Sequence, residues 1–222
     1  MPKFAAGVLK FQDAIYPDKK NLFEELSKGQ SPEALFITCS DSRIELAMIT
    51  QTEPGQLFIS RNAGNIVPPH TAQTGATTAS IEYAVAVLQV PHIVVCGHTE
   101  CGAMNGAMNP EGLASLPHVA KWLGYSQAAV DIVDEIGAGA SDEERMKMLI
   151  EQNVLLQLQH LRTHPSVARR LARGDLQLHG WVYDIKHGGV DAYDEEVGKF
   201  IHVDAKYKSE IAALSAAGGC AA

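Results

Sequence analysis

Short apolar runs alternating with helical periodicity frame this chain. Ala34-Leu35-Phe36-Ile37-Thr38 ends at Cys39, and His92-Ile93-Val94-Val95-Cys96-Gly97 ends at His98. Continuous apolar runs of this length, closed by turn residues, read as buried strands. Between them Ser80-Ile81-Glu82-Tyr83-Ala84-Val85-Ala86-Val87-Leu88 carries a helical pattern, and strands that alternate with helices imply a parallel sheet. Leu57-Phe58-Ile59-Ser60 reads as a further strand. Arg61 to Pro69 holds Asn, Gly and consecutive Pro, the chemistry of an ordered irregular loop. Leu176 to Ile185 alternates as a late strand, and His187-Gly188-Gly189 turns the chain into Val190-Asp191-Ala192-Tyr193.

Helical spacing from residue 4 to residue 28 breaks at Tyr16-Pro17, which predicts two short helices ahead of the sheet, with residues 1–30 as a helical arm. Ser141-Asp142-Glu143-Glu144 opens an amphipathic helix that runs on to Leu161, with acids in the first turn where the helix dipole favours them. The small residues of 212–222 predict a loose tail. The expected fold class is α/β: one domain over residues 1–222, a mostly parallel sheet flanked by helices and preceded by the helical arm.

At 222 residues and 46% hydrophobic content the chain can bury a full core. A net charge of −8 and a pI near 5.5 argue against a nucleic-acid partner. No run approaches the length of a membrane span, and charges interrupt the N-terminus too early for a signal peptide, so a cytoplasmic location is expected. Four cysteines (39, 96, 101, 220) make no disulfide scaffold in a chain this long and point instead to metal binding or catalysis. Cys96, inside a strand, reads as a small buried hydrophobe, and Cys220 as incidental.

The chemistry concentrates at Cys39, His98 and Cys101. Two thiolates and an imidazole suit zinc, and a catalytic zinc site has three protein ligands with the fourth position open. Cys39 lies 59 positions upstream of His98, so the site requires the fold to bring two distant segments together. Both segments end predicted strands, and open parallel sheets bind ligands beyond the carboxyl ends of their strands. Asp41 and Arg43 follow the first cysteine. Asp41 is placed to bind the metal or to accept a hydrogen bond from a water on it. Ser42-Arg43-Ile44-Glu45 matches a capping box, so a helix is expected directly after Ser42. A helix starting near Cys101 would favour its thiolate form. Glu100 is assigned to solvent or to a supporting role. The remaining histidines, 70, 92, 118, 160, 164, 179, 187 and 202, read as surface or strand residues.

Cys39-Ser40-Asp41-Ser42-Arg43 and His98-Thr99-Glu100-Cys101-Gly102 together resemble the β-class carbonic anhydrases. The likeness extends through Arg61-Asn62-Ala63-Gly64-Asn65, Ile81-Glu82-Tyr83-Ala84 and His179-Gly180-Trp181-Val182-Tyr183, covering roughly residues 20 to 190. It implies reversible hydration of carbon dioxide to bicarbonate on one Zn²⁺ per subunit, held by Cys39, His98 and Cys101, with attack by a zinc-bound hydroxide. Asp41 would orient the nucleophile and Arg43 would hold Asp41 off the metal. Gly102 N–H would donate to the bicarbonate oxygen, and carbon dioxide would lie against Phe58, Ala63 and Tyr83. A homodimer or higher homo-oligomer built through the N-terminal arm is also implied.

In this family the aspartate matching Asp41 either leaves the zinc open to water or closes onto it as a fourth ligand. Where a bicarbonate-inhibited subgroup has a tryptophan, this chain has Phe36, which has no N–H to donate. The open state is therefore expected, although Tyr183 keeps another element of that pocket. Gln73, in the shorter loop from His70 to Ser80, is the residue that can be set against a substrate-binding glutamine of the plant-type members. Two thiolates cancel the charge of Zn²⁺, so activity is expected to rise toward alkaline pH. Three rival readings share these residues: a closed structural site of Cys39, Asp41, His98 and Cys101; a thiol redox pair, which lacks the C-x-x-C motif; and a hydrolase of carbon disulfide or carbonyl sulfide.

Overall fold

The computed structural model describes residues 1–71 and 74–216. Its centre is a six-stranded sheet in the order β2-β1-β3-β4-β5-β6: β1 Ala34–Cys39, β2 Leu57–Asn62, β3 His92–His98, β4 Gln177–Tyr183, β5 Val190–Asp194 and β6 Lys199–His202. The first four strands run parallel, and β5 and β6 return antiparallel, giving the mostly parallel sheet that the alternation predicts. Every residue of β1 is buried, as a central strand packed on both faces requires. β2 runs two residues further than expected. Arg61 and Asn62 pair with Thr38 and Cys39 in the ladder instead of opening the loop.

Around the sheet lie α1 Pro2–Lys10, α2 Lys20–Leu26, α3 Leu46–Thr50, α4 Ala76–Glu82, α5 Gly102–Met108, α6 Pro117–Leu123, α7 Gln127–Ile136, α8 Asp142–Thr163, α9 Pro165–Arg173, α10 Val203–Lys206 and α11 Lys208–Ala216. A π turn over Phe11–Ile15 and a 3-10 turn at Pro17–Lys19 join α1 to α2, so the predicted break at Tyr16-Pro17 is present. The capping box of α8 is complete: Glu144 N–H donates to Ser141 Oγ (3.3 Å) and Ser141 N–H to Glu144 Oε2 (2.8 Å). α5 to α7, α9 and β6 add to the predicted elements, and α7 and α9 are amphipathic at helical period. α11 continues through Ala216, so residues 212–216 are helical where a loose tail is expected; alanine and leucine favour the helix there. Residues 217–222 lie outside the described residues. No helix among the described residues is long and apolar enough to cross a membrane.

Two glycines let α8 lie directly on the sheet. A Cβ at Gly180 would meet Val154 Cγ1 at 2.9 Å, and one at Gly97 would meet Val154 Cγ2 at 3.0 Å. Gly97 immediately precedes His98, so one of these close helix–sheet approaches adjoins a candidate ligand. On the opposite face, Phe36, Val94 and Cys96 pack with Ile44 and Leu46.

At the amino-terminal end of β3 and β4 a hydrogen-bonded chain ties down the C-terminal helices. Trp181 Nε1 donates to Tyr207 OH, Tyr207 OH meets His179 Nδ1, and His179 Nε2 meets His92 Nδ1, each at 3.2 Å. Burial, aided by His92 and by Lys206, itself paired to Asp194, pushes the His179 pKa down to about 4. In the unfolded chain a histidine takes up its proton near 6.5. The unfolded state therefore binds more protons between 6.5 and about 4, and stability falls as pH falls through that window. We expect the urea midpoint to drop across it by the equivalent of about 1–3 kcal/mol, and the His179→Gln protein to show a shallower slope. Equal slopes in the two proteins would exclude His179 as the group responsible.

Candidate metal centre

β1 and β3 are neighbours with Thr38 opposite Cys96, and Thr38 Oγ1 donates to Cys96 O at 3.0 Å. Cys39 and His98 therefore emerge side by side at the carboxyl ends of the two strands. Cys101 joins them after a tight turn in which Glu100 takes a left-handed conformation, φ +56°. One ligand atom from each of Cys39, His98 and Cys101 lies within 4.8 Å of the others, and all three residues are buried. His98 Nδ1 contacts Thr99 O at 2.7 Å, which fixes the ring and leaves Nε2 with its lone pair. That Nε2 is buried and has no hydrogen-bond partner.

A buried imidazole nitrogen without a partner is costly unless something electrophilic meets it. Beside two thiols, the arrangement suits a soft or borderline divalent ion. The two sulfurs are inequivalent as protein alone. The neighbouring Cys101 thiol, with Gly64 N–H at 3.4 Å, outweighs burial and holds the Cys39 pKa down to about 4. The same contact with Cys39, together with burial, pushes Cys101 up, while the amides of Met104 and Ala103 at the start of α5 oppose that rise. Cys96, fully enclosed, is pushed up to about 12 by burial, as befits the buried hydrophobe expected.

Asp41 sits at the rim of the cluster, its Oδ2 4.0 Å from His98 Nε2. Arg43 holds both its oxygens: Nε donates to Oδ1 at 2.9 Å and Nη2 to Oδ2 at 2.7 Å. This fork keeps the Asp41 carboxyl far below the usual range. Arg43 Nη2 also donates to Glu100 O at 2.9 Å, linking the two ligand-bearing segments. The helix expected after Ser42 does not form; α3 begins only at Leu46. Asp41 Oδ1 accepts from Arg43 N–H (2.9 Å), and Arg61 Nη2 donates to the carbonyls of Asp41 (2.7 Å) and Ile44 (2.9 Å), the second of which a helix would have used. Side chains therefore pin residues 41 to 44 as a turn, and the capping-box pattern is incidental.

Ala63 and Gly102 border the donor cluster, one following Asn62, the ladder partner of Cys39, the other following Cys101. Phe58 and Tyr83 are together, ring centroids 5.9 Å apart, but they lie elsewhere. Phe58 pairs with Leu35 at the far end of the β1–β2 ladder, roughly 13 Å along the strand from Cys39 at about 3.3 Å per residue. Phe36 is buried edge-to-face against Trp181. Gln73 lies outside the described residues, as does Cys220.

A polar stripe runs along α8 and on to His164, the residue that follows it. Asn153 Nδ2 donates to Gly64 O (3.1 Å), Gln157 Oε1 accepts from Val67 N–H (2.8 Å), His160 Nδ1 meets Val67 O (2.7 Å) and His164 Nε2 meets Pro68 O (3.0 Å). His164 is buried and His160 half-buried, which corrects their assignment to the surface. Their recurrence at positions 153, 157, 160 and 164 is the helical spacing that would have revealed them.

The carbonic anhydrase family matches residues 34–190. A carbonic anhydrase of Pseudomonas aeruginosa is 50% identical over 195 residues, covering 88% of each chain. One from Synechocystis is 43% identical over 202 residues, 90% of this chain and 74% of its own. Among solved structures, the β-carbonic anhydrase CcaA superposes with a TM-score of 0.89 at 42% identity over 91% of both chains. A tetrameric β-carbonic anhydrase from Sordaria macrospora does so with 0.69 at 32% identity, over 90% of this chain and 94% of its own. Likeness of this extent, running through the same strands that carry the three donors, makes the chain a member of the carbonic anhydrase family, in its β class.

Proposed function

We propose that Cys39, His98 and Cys101 hold one zinc ion and that the chain uses it for the reversible hydration of carbon dioxide to bicarbonate and a proton. The observation that carries this reading is the buried, unpartnered Nε2 of His98 facing two sulfurs. Zinc bound there acidifies water from a pKa of about 15.7 toward ~7, which supplies a nucleophile near neutral pH. Asp41 accepts a hydrogen bond from the attacking oxygen and so aims its lone pair at carbon. Arg43 keeps that carboxylate at the rim, which favours the open state over a closed structural site. Gly102 N–H is offered to the product oxygen, and Ala63 forms the near wall. Half-buried Phe58 and exposed Tyr83 reach such a pocket when a second copy seats against the β2 edge. A reducing compartment, the cytoplasm, keeps the ligand thiols free.

Stopped-flow hydration measured together with zinc content tests the reading. One zinc per chain with fast hydration is expected; a chain that holds zinc yet leaves the uncatalysed rate unchanged would overturn it in favour of the structural site.

Arg43→Ala frees Asp41 to cross the 4.0 Å to the donor cluster. Hydration should fall on the order of 10–100-fold while zinc content holds, and undiminished hydration would refute the division of labour between the two residues.

The same proposal gives the arm, residues 1–30, to the contact between copies. Phe4, Val8, Leu9, Phe11 and Ile15 are exposed along α1 and the turn after it, an apolar stripe uncommon on a free surface. Some relatives are tetrameric, as in Sordaria macrospora. In sedimentation, Leu9→Asp should shift the protein to a smaller species; an unchanged distribution would remove the arm from the interface.

A further inference from the structure

The 63–68 loop has no regular ladder of its own, yet its backbone is bonded almost throughout, and almost always to side chains. Asn62 takes both polar groups of Ile66, accepting at 2.7 Å and donating at 2.8 Å. Trp122 Nε1 donates to Ala63 O at 2.8 Å. The remaining ties come from the stripe on α8. Within that stripe Asn153 is the node. Its Oδ1 accepts from Ser126 Oγ (2.9 Å) and from Gln157 Nε2 (2.8 Å), and its Nδ2 donates to Gly64 O (3.1 Å). Asn153, Gln157 and Ser126 are all at most 1% exposed, so no water replaces a lost partner.

The direction of each bond matters. Gln157 accepts from Val67 N–H and donates to Asn153, which donates to Gly64 O; every donor and acceptor in the relay has one role. The loop end of the relay is Gly64, whose own N–H donates to Cys39 Sγ at 3.4 Å. Gly64 is held in a left-handed conformation, φ +80°, where a Cβ would meet Met104 Cε at 3.0 Å and Ala103 Cβ at 3.1 Å on the helix that follows Cys101. The same peptide segment thus touches one sulfur ligand and leans on the element that carries the other.

We propose that Asn153 is a positioning residue for the metal centre: by holding Gly64 O it aims Gly64 N–H at the Cys39 sulfur and sets that ligand's donor strength. The inference rests on the metal reading of the preceding subsection. Groups that orient a ligand are worth about 10–100-fold in metal affinity or activity.

Asn153→Asp is the test, made in the full chain loaded with zinc or cobalt. Aspartate has nearly the same volume and still accepts from Ser126 and Gln157, but its carboxylate cannot donate to Gly64 O. Chelator competition should show zinc held about 10–100-fold more weakly, the thiolate-to-cobalt charge-transfer band should shift, and amide exchange at Gly64 and Val67 should quicken. Gln157→Glu, which keeps the acceptor for Val67 and loses the donor to Asn153, should move all three in the same direction and serves where Asn153→Asp fails to fold. Leu161→Ala, a core substitution on the same helix, should lower thermal stability and leave the cobalt band in place. A wild-type band and wild-type zinc affinity in folded Asn153→Asp would overturn the positioning role alone. Absence of any thiolate-to-cobalt band in the wild-type protein would overturn the metal reading, and this proposal with it.

Discussion

The parallel pairing of β1 with β3, Thr38 opposite Cys96, is the contact on which the cluster of Cys39, His98 and Cys101 depends. Side chains alternate along a strand, so a slip of one residue would turn Cys39 and every other residue of β1 to the other face. Three features hold the register. Both strands are buried along nearly their whole length; Thr38 Oγ1 is bonded to Cys96 O across the ladder; and Gly97 admits no side chain under α8. Cys39 and His98 are then delivered to one place by secondary structure alone. Only Cys101 needs a special turn, and Glu100 supplies it at φ +56°. A β-carbon is strained there, and the Arg43 bond to the Glu100 carbonyl helps hold the conformation.

Charge at the site is arranged as a competition. An anionic Asp41 whose carboxylate lies 4.0 Å from His98 Nε2 is attracted to any cation in the cluster. Arg43 offers that carboxylate a planar two-point partner instead, and guanidinium–carboxylate forks are among the stronger hydrogen-bonded pairs. The pair is partly solvated, which weakens it; its effect lies in geometry more than in stability. Arg61 acts on the same turn from the other side, through carbonyls rather than charge. Arg43 within the turn and Arg61 from β2 thus fix residues 41 to 44.

Much of this arrangement is legible in the sequence, and the failures have physical causes. Strands ending at Cys39 and His98 are readable because apolar runs closed by turn residues have few other solutions. The capping box at Ser141 is readable because an apolar helical stripe follows it. The equivalent pattern at Ser42 misleads because the Asp41 carboxylate and Arg61 hold the backbone of residues 41 to 44 in a turn. The resemblance places Phe58 and Tyr83 in the pocket, whereas the ladder sets Phe58 four residues along the strand from the Cys39 pairing. His160 and His164 were misjudged because the sequence does not display what they bond to: backbone carbonyls some 90 residues away. Polar residues at helical spacing ordinarily mark a solvated face. Here they mark a face packed against an irregular loop whose backbone needs partners.

The edge of the sheet links assembly to chemistry. β2 is an outer strand, and a strand with one free edge invites pairing or cover. Its surroundings are apolar for a free surface: Ile59, Tyr83 and Val87 are each more than two-fifths exposed. The same strand ends in Arg61 and Asn62, one bonded to the carbonyls of the Cys39 turn and the other to the loop that contacts the Cys39 sulfur. A partner seated on β2 therefore presses on a rigid element whose far end holds a ligand segment. Within six residues the strand passes from exposed apolar contact to the polar frame of the candidate site, so in an oligomer built on this edge, assembly and donor geometry share one piece of backbone.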